Sequence, residues 1–343
     1  MTFANLAVIA LIGVMIVALL LAAMIIFGTA KPKSAGTEGA DAIAVSFPTG
    51  LPPVESVTAR DGTALAFRFY RGDGDIVAIL VHGSVGAGAT MHFLAEAIRA
   101  RGGCVYAPDI RGHGASGTPG DIAYAGQLED DLADLTAEIR RRHPGKILVL
   151  AGYSSGGGYV LRVAGGSAGH LFDRFVLISP YLGHRAPTQR PDHHGWVVPF
   201  IPRIIGLSVL ERLGIHWFEG LPAIAFAPGA TFGVEPSSVA GAPMTNSYRL
   251  SRNFHPGADV AGDFRRTAKP MTVIVGSADE VFYADRFAPL IQRLRPDIAV
   301  TLVPGQTHLD MIRDPRGTGA VAAVIAPDAR PVPEGNSRPL AAV

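Results

Sequence analysis

The chain has 343 residues, 30 Lys and Arg against 29 Asp and Glu, and a formal net charge of +1. That length accommodates one large core, or a core domain carrying an insertion, and the charge balance gives no electrostatic footprint for nucleic acid or an acidic partner. The single cysteine, Cys104, rules out a disulfide within the chain and reads, in the apolar run Cys104-Val105-Tyr106, as a small core residue.

The N-terminal stretch differs from everything after it. From Leu6 to Phe27 there is no charged side chain, and about 20 helical residues suffice to cross a hydrocarbon core. Residues 4–28 are therefore expected to form a transmembrane anchor. The alternative is a signal peptide cleaved near Gly28-Thr29-Ala30. Against it, Met1-Thr2-Phe3-Ala4-Asn5 carries no basic side chain and the run exceeds the roughly 7 to 15 apolar residues of such a signal. Lys31 and Lys33 follow the helix while no Lys or Arg precedes it, so the positive-inside bias favours the cytoplasmic side for the rest of the chain. Residues 31–52, rich in Gly, Ala, Ser and Pro, read as a linker.

Val54 to Arg60 and Thr63 to Tyr70, joined by Asp61-Gly62, predict an antiparallel hairpin, because Asp-Gly supplies the positive φ of a tight turn. Strands then alternate with helices. Ile76 to Val81, Cys104 to Ala107, Ile147 to Ala151, Phe175 to Ser179, Met271 to Val275 and Ala299 to Val303 are short apolar runs of the kind buried on both faces of a sheet. Between them lie helical segments near Met91 to Arg101, Gln127 to His143, Tyr159 to Ala164 and Ala284 to Arg295. In the second of these, early acids and the late Arg140-Arg141-Arg142 follow the helix dipole, so the arginines mark a helix end. The expected class is α/β, a mostly parallel sheet covered on both faces with an antiparallel edge. Residues 182–265 break the rhythm, contain Trp196 and Trp217 and several apolar residues, and read as a cap inserted between core segments 53–181 and 266–325. Residues 326–343 read as a disordered tail.

The strongest motif is Gly152-Tyr153-Ser154-Ser155-Gly156, placed after the strand Ile147 to Ala151 and before a helix. A G-x-S-x-G sequence in that setting predicts a nucleophile elbow, with Ser154 on the tight turn and the Ser155 N–H directed at a developing oxyanion. A serine needs a base, and the base needs a group to orient it. Asp279, after the strand Met271 to Val275, and His308, after the strand Ala299 to Val303, fill those places in the order Ser, acid, His. Glu280 is the rival acid. The loop His82-Gly83-Ser84-Val85-Gly86 offers a second oxyanion N–H, that of Ser84 ahead of that of Val85, with His82 as an orienting hydrogen-bond group. Asp192, His193 and His194 lack further ligands at regular spacing and read as a polar cap loop, so no metal site is expected.

Taken with Pro108-Asp109-Ile110-Arg111-Gly112-His113-Gly114-Ala115-Ser116, these segments resemble the α/β-hydrolase family, and within it the lysophospholipase and monoacylglycerol lipase-like group of serine aminopeptidase type. The resemblance spans about residues 54 to 325. It implies an eight-stranded sheet, a Ser154–Asp279–His308 triad, a cap, and no metal or organic cofactor. Asp109, Arg111 and His113 would be structural. The expected activity is hydrolysis of carboxylic esters through an acyl-enzyme, and the anchor and apolar cap favour a lipophilic small-molecule ester such as a monoacylglycerol or lysophospholipid. A peptidase or acyltransferase on the same triad is an alternative; a membrane-bound scaffold or sensor that kept the fold without turnover is another, of a different class.

Overall fold

The structure, a computed structural model of the chain, describes residues 2–30, 50–191, 197–226 and 245–327. Most of the expected linker, the loop Asp192-His193-His194 with Trp196, and the expected tail beyond residue 327 lie outside the described residues.

Helix α1 (Phe3–Phe27) is long and apolar enough to cross a membrane by length and composition. Strands β1 (Val54–Thr58) and β2 (Ala64–Tyr70) pair antiparallel across the Asp61-Gly62 turn. Gly62 takes φ +84°, and the Asp61 carboxylate accepts the Thr63 N–H at 3.0 Å. Then follow β3 (Ile76–Val81), α2 (His92–Ala100), β4 (Cys104–Pro108), α3 (Gln127–Arg142), β5 (Ile147–Tyr153), α4 (Ser155–Gly165) and β6 (Arg174–Ile178). In the cap segment, β7 (Val197–Pro199), β8 (Pro222–Phe226) and β9 (Thr245–Ser247) make a small antiparallel sheet, accompanied by α5 (Ile201–Arg212), α6 (Tyr248–Asn253) and α7 (Val260–Arg266). The chain then returns through β10 (Met271–Gly276), α8 (Phe287–Leu294), β11 (Ala299–Val303), α9 (Asp310–Arg313) and α10 (Pro315–Ile325).

The main sheet has eight strands in the order β1-β2-β4-β3-β5-β6-β10-β11, parallel from β4 onward. Alternation splits its side chains into two cores. Val77, Ile79, Leu148 and Leu150 face one layer of helices, while Ala78, Leu80, Val149 and Ala151 face the other. Both faces are covered, which is why these strands read as unbroken apolar runs. Cys104 is buried, with its thiol against the Gly72 carbonyl. Arg140, Arg141 and Arg142 pair with Asp173, Glu138 and Glu55, as a helix end does.

Two helices differ from the sequence expectation. Helix α4 begins at Ser155, four residues early, because three glycines at Gly156, Gly157 and Gly158 have weak helix propensity yet are buried where no larger residue fits. Helix α10 is unanticipated; Gly317 and Gly319 obscure it, but Asp314 caps it through the Arg316 N–H, Pro315 starts it, and Val321, Ala322 and Ile325 are fully buried on the sheet.

Arg111 ties the early hairpin to this frame. Its guanidinium donates two 2.7 Å hydrogen bonds to Asp131 and reaches Asp61 and Thr63. Arg111→Ala leaves the buried Asp131 carboxylate without its cation, and such a change typically costs about 3 kcal/mol or more; urea unfolding is expected to show a loss of that order.

Candidate active site

Ser154 occupies the single-residue turn between β5 and α4, with φ 56° and ψ −120°. Such a backbone costs about 1–3 kcal/mol and persists only where its surroundings hold it. Here the Ser154 N–H donates to the Ile178 carbonyl at 3.0 Å, and its own carbonyl accepts from the N–H groups of Tyr181 and Gly158. The flanking glycines are required by space. A Cβ on Gly152 would run into the Gly156 carbonyl, and one on Gly156 into the carbonyls of His82 and Val81.

Asp279 and His308 come together at the neighbouring strand ends. The Asp279 carboxylate accepts from His308 Nδ1 at 2.8 Å, with both side chains buried. Its other oxygen accepts the N–H groups of Val281 and Phe282 at 2.9 and 2.8 Å. Burial pushes the Asp279 pKa up, but the adjacent imidazole and these hydrogen bonds outweigh it, and the net direction is downward. An ionised Asp279 accepting from Nδ1 fixes the tautomer with the proton on that nitrogen and makes Nε2 the basic one. The imidazole packs against Tyr153, next to Ser154, at 4.8 Å between ring centroids, and against Phe282 at 5.1 Å. The Tyr153 hydroxyl donates to the His308 carbonyl at 3.2 Å. Glu280 takes a different place from Asp279: its carboxylate accepts the backbone N–H of His308 at 2.8 Å.

The loop after β3 lies against Ser154; a Cβ built on Gly83 would stand 3.4 Å from Ser154 Cβ. His82 Nδ1 donates to the Gly83 carbonyl at 2.7 Å, and Gly86 N–H donates to the same oxygen at 3.0 Å. In a trans peptide the C=O and the following N–H point in opposite directions, so pinning the Gly83 oxygen on one side turns the Ser84 N–H to the other. His82 Nε2 accepts from the Ile110 N–H, and His113 Nε2 donates to the Ser84 carbonyl at 2.9 Å. The Ser84 and Ser155 hydroxyls hydrogen-bond to each other, so the two residues expected to supply oxyanion donors are adjacent. Asp109 braces the same region through the Gly88 and Ala115 N–H groups. Tyr153 and Phe282 are the contributors that motif reading left out; Tyr153 lies inside the G-x-S-x-G motif, and Phe282 follows Asp279 by three, but nothing local marks their packing roles. Among the described residues no group of three or more His, Cys, Asp or Glu stands ready for a metal ion.

Two histidines, the buried His82 and the half-buried His255, give a pH dependence. Burial, reinforced by His113, lowers His82 to about 3, and burial lowers His255 to about 4, both from an ordinary value of 6.5. Between those values the unfolded chain binds protons that the folded chain refuses, so their contribution to stability is complete above about pH 6.5 and drains away as the pH falls. Each imidazole contributes a slope of up to about 1.4 kcal/mol per pH unit in that window. Urea unfolding at pH 7 and pH 5 is expected to show lower stability at pH 5, with a shallower dependence in His82→Asn.

Comparison with known proteins finds similar sequences and similar folds. The sequence model of the serine aminopeptidase S33 hydrolases matches residues 73–217. A 2-(acetamidomethylene)succinate hydrolase of Mesorhizobium japonicum is 26% identical over 206 residues, 59% of this chain and 70% of that protein. Among solved structures, a soluble variant of the monoglyceride lipase of Saccharomyces cerevisiae superposes with a TM-score of 0.60 at 18% identity, covering 83% of this chain and 98% of the other. The monoacylglycerol lipase of Paleococcus ferrophilus gives 0.54 at 21% identity, covering 77% and 99%. At such identities the structural likeness establishes the fold. The chain has the α/β-hydrolase fold, and its residues 73–217 resemble the serine aminopeptidase S33 hydrolases.

Proposed function

We propose that this protein is a membrane-anchored serine esterase that uses Ser154 as nucleophile, His308 as base and Asp279 as the group that orients the base. The buried 2.8 Å hydrogen bond from His308 Nδ1 to Asp279, beside the strained Ser154 turn, carries the reading. His308 Nε2 takes the Ser154 hydroxyl proton as Oγ attacks an ester carbonyl. The Ser84 and Ser155 N–H groups receive the oxyanion, and collapse expels the alcohol, protonated by His308, leaving an acyl-serine. Water then attacks the acyl group with His308 again as base, and the carboxylic acid leaves.

The substrate class proposed is a lipophilic ester such as a monoacylglycerol or lysophospholipid. Three things support it: the apolar α1, the exposed apolar residues of the cap such as Leu213, Trp217 and Phe218, and a fold shared with two monoacylglycerol lipases. Full-length protein in mixed micelles or vesicles, offered a monoacylglycerol, a lysophospholipid and a short soluble ester, is expected to release fatty acid from at least one acyl lipid. Cleavage of the short ester alone would remove the lipid reading and leave the esterase.

A further inference from the structure

Helix α1 is 25 residues long, about five more than a hydrocarbon core requires. Its last turns have a partner. Leu21, Met24, Ile25 and Gly28, spaced as one helical stripe, are the residues withdrawn from solvent in that region, and Ile25 is buried with Leu207, Ala223 and Tyr248 of the cap. The approach of α1 to α5 depends on small residues. A Cβ at Gly206 would stand 2.8 Å from Ile25 Cγ1, and one at Gly28 would stand 2.7 Å from the Arg203 nitrogen.

Arg203 closes the junction. Its buried guanidinium donates to the carbonyls of Ile25 (2.7 Å), Ile26 (3.2 Å) and Pro222 (3.0 Å). Ile25 and Ile26 lie in the final turn of α1, whose carbonyls have no acceptor role within the helix. At the edge of a bilayer such groups are costly to leave unmet, and a cation there also complements the helix dipole. Strand β8 carries the contact onward. Ala223 faces Ile25, while the alternate residues Ile224 and Phe226 pack on Val85, the residue after Ser84 in the candidate oxyanion loop.

We infer that Arg203 clamps the cap to the membrane helix, so that the cap lies in the lipid interface with its exposed apolar side chains in the bilayer and the site beneath it opens toward lipid. The occupant of this surface is the lipid bilayer itself, because the patch is continuous with α1. Ile201 and Ile205 stand on α5 beside the helix, and Leu213, Trp217 and Phe218 follow from its end, Trp217 being 87% exposed. Tryptophan is the residue most suited to the headgroup region. The inference rests on the reading of α1 as a membrane anchor.

The chain has two tryptophans, so Trp196→Phe leaves Trp217 as sole reporter. The full-length protein would be reconstituted in phosphatidylcholine vesicles containing brominated lipid, and anchoring would be scored separately by intact mass and resistance to carbonate extraction. The expected result is a blue-shifted Trp217 emission, quenched more by bromine near the carbonyl end of the acyl chain than near the methyl end. Gly206→Leu and Arg203→Gln, each of which disturbs the clamp, should reduce that quenching while the protein stays in the membrane and still reacts with a fluorophosphonate probe, which reports that it is folded. Water-like, unquenched Trp217 in carbonate-resistant protein would overturn the inference and leave the anchor standing. Undiminished quenching in both folded variants would overturn the role of Arg203 and the clamp. Loss of α1 by cleavage, or release by carbonate, would overturn the anchor and the inference with it.

Discussion

Ser154→Ala is expected to lower ester hydrolysis by about a million-fold in kcat, the loss found when a serine protease nucleophile is removed. The substitution removes only Oγ. Alanine must still adopt φ 56°, a conformation the surrounding hydrogen bonds from Tyr181, Gly158 and Ser154 N–H enforce in either residue. Folding and vesicle binding are therefore expected to survive, and steady-state kinetics beside a urea melt separate lost chemistry from lost structure. A fall of only tenfold with unchanged stability would mean that another group attacks the substrate.

The second large effect is expected at the acid. Asp279→Asn keeps the shape but replaces an acceptor by an amide that can present N–H to His308 Nδ1, which favours the tautomer with its proton on Nε2, where a base is needed. The comparable change in a serine protease costs about 10⁴-fold in kcat. Glu280→Gln tests the rival directly. Glu280 is exposed and meets the backbone N–H of His308, a contact that glutamine Oε1 can replace, so a change below about tenfold is expected, since only a neutral-for-charged acceptor has been exchanged. Both variants measured across pH with one soluble ester would distinguish the two carboxylates; equal losses would contradict the assignment to Asp279.

What could be read from the sequence was what local chemistry dictates. The hairpin at Asp61-Gly62 and the turn at Ser154 are specified by residues within a few positions of each other, and buried parallel strands advertise themselves by unbroken apolar runs. Helix α10 is the opposite case, since Gly317 and Gly319 argue against it locally and burial of Val321, Ala322 and Ile325 decides for it. Residues 182–265 were legible only as an interruption. Within them α7 packs on α4 of the core and shares its buried face, so the cap and core interleave there. The α1 to α5 contact left no motif at all, because Gly206 acts by what it lacks and Arg203 bonds to carbonyls that every residue possesses. At the site, residue types and order singled out Ser154, Asp279 and His308. The direction in which the Ser84 N–H points came from hydrogen bonds made by His82 and Gly86 to a single carbonyl, a three-dimensional fact.

The central claim, that Ser154 is an activated nucleophile, is tested most directly by treating folded full-length protein with a fluorophosphonate and mapping the adduct by peptide mass spectrometry. The expected result is one phosphonate on the peptide containing Ser154, absent from Ser154→Ala and strongly slowed in Asp279→Asn. No adduct on folded protein, or an adduct on a different serine, would contradict it.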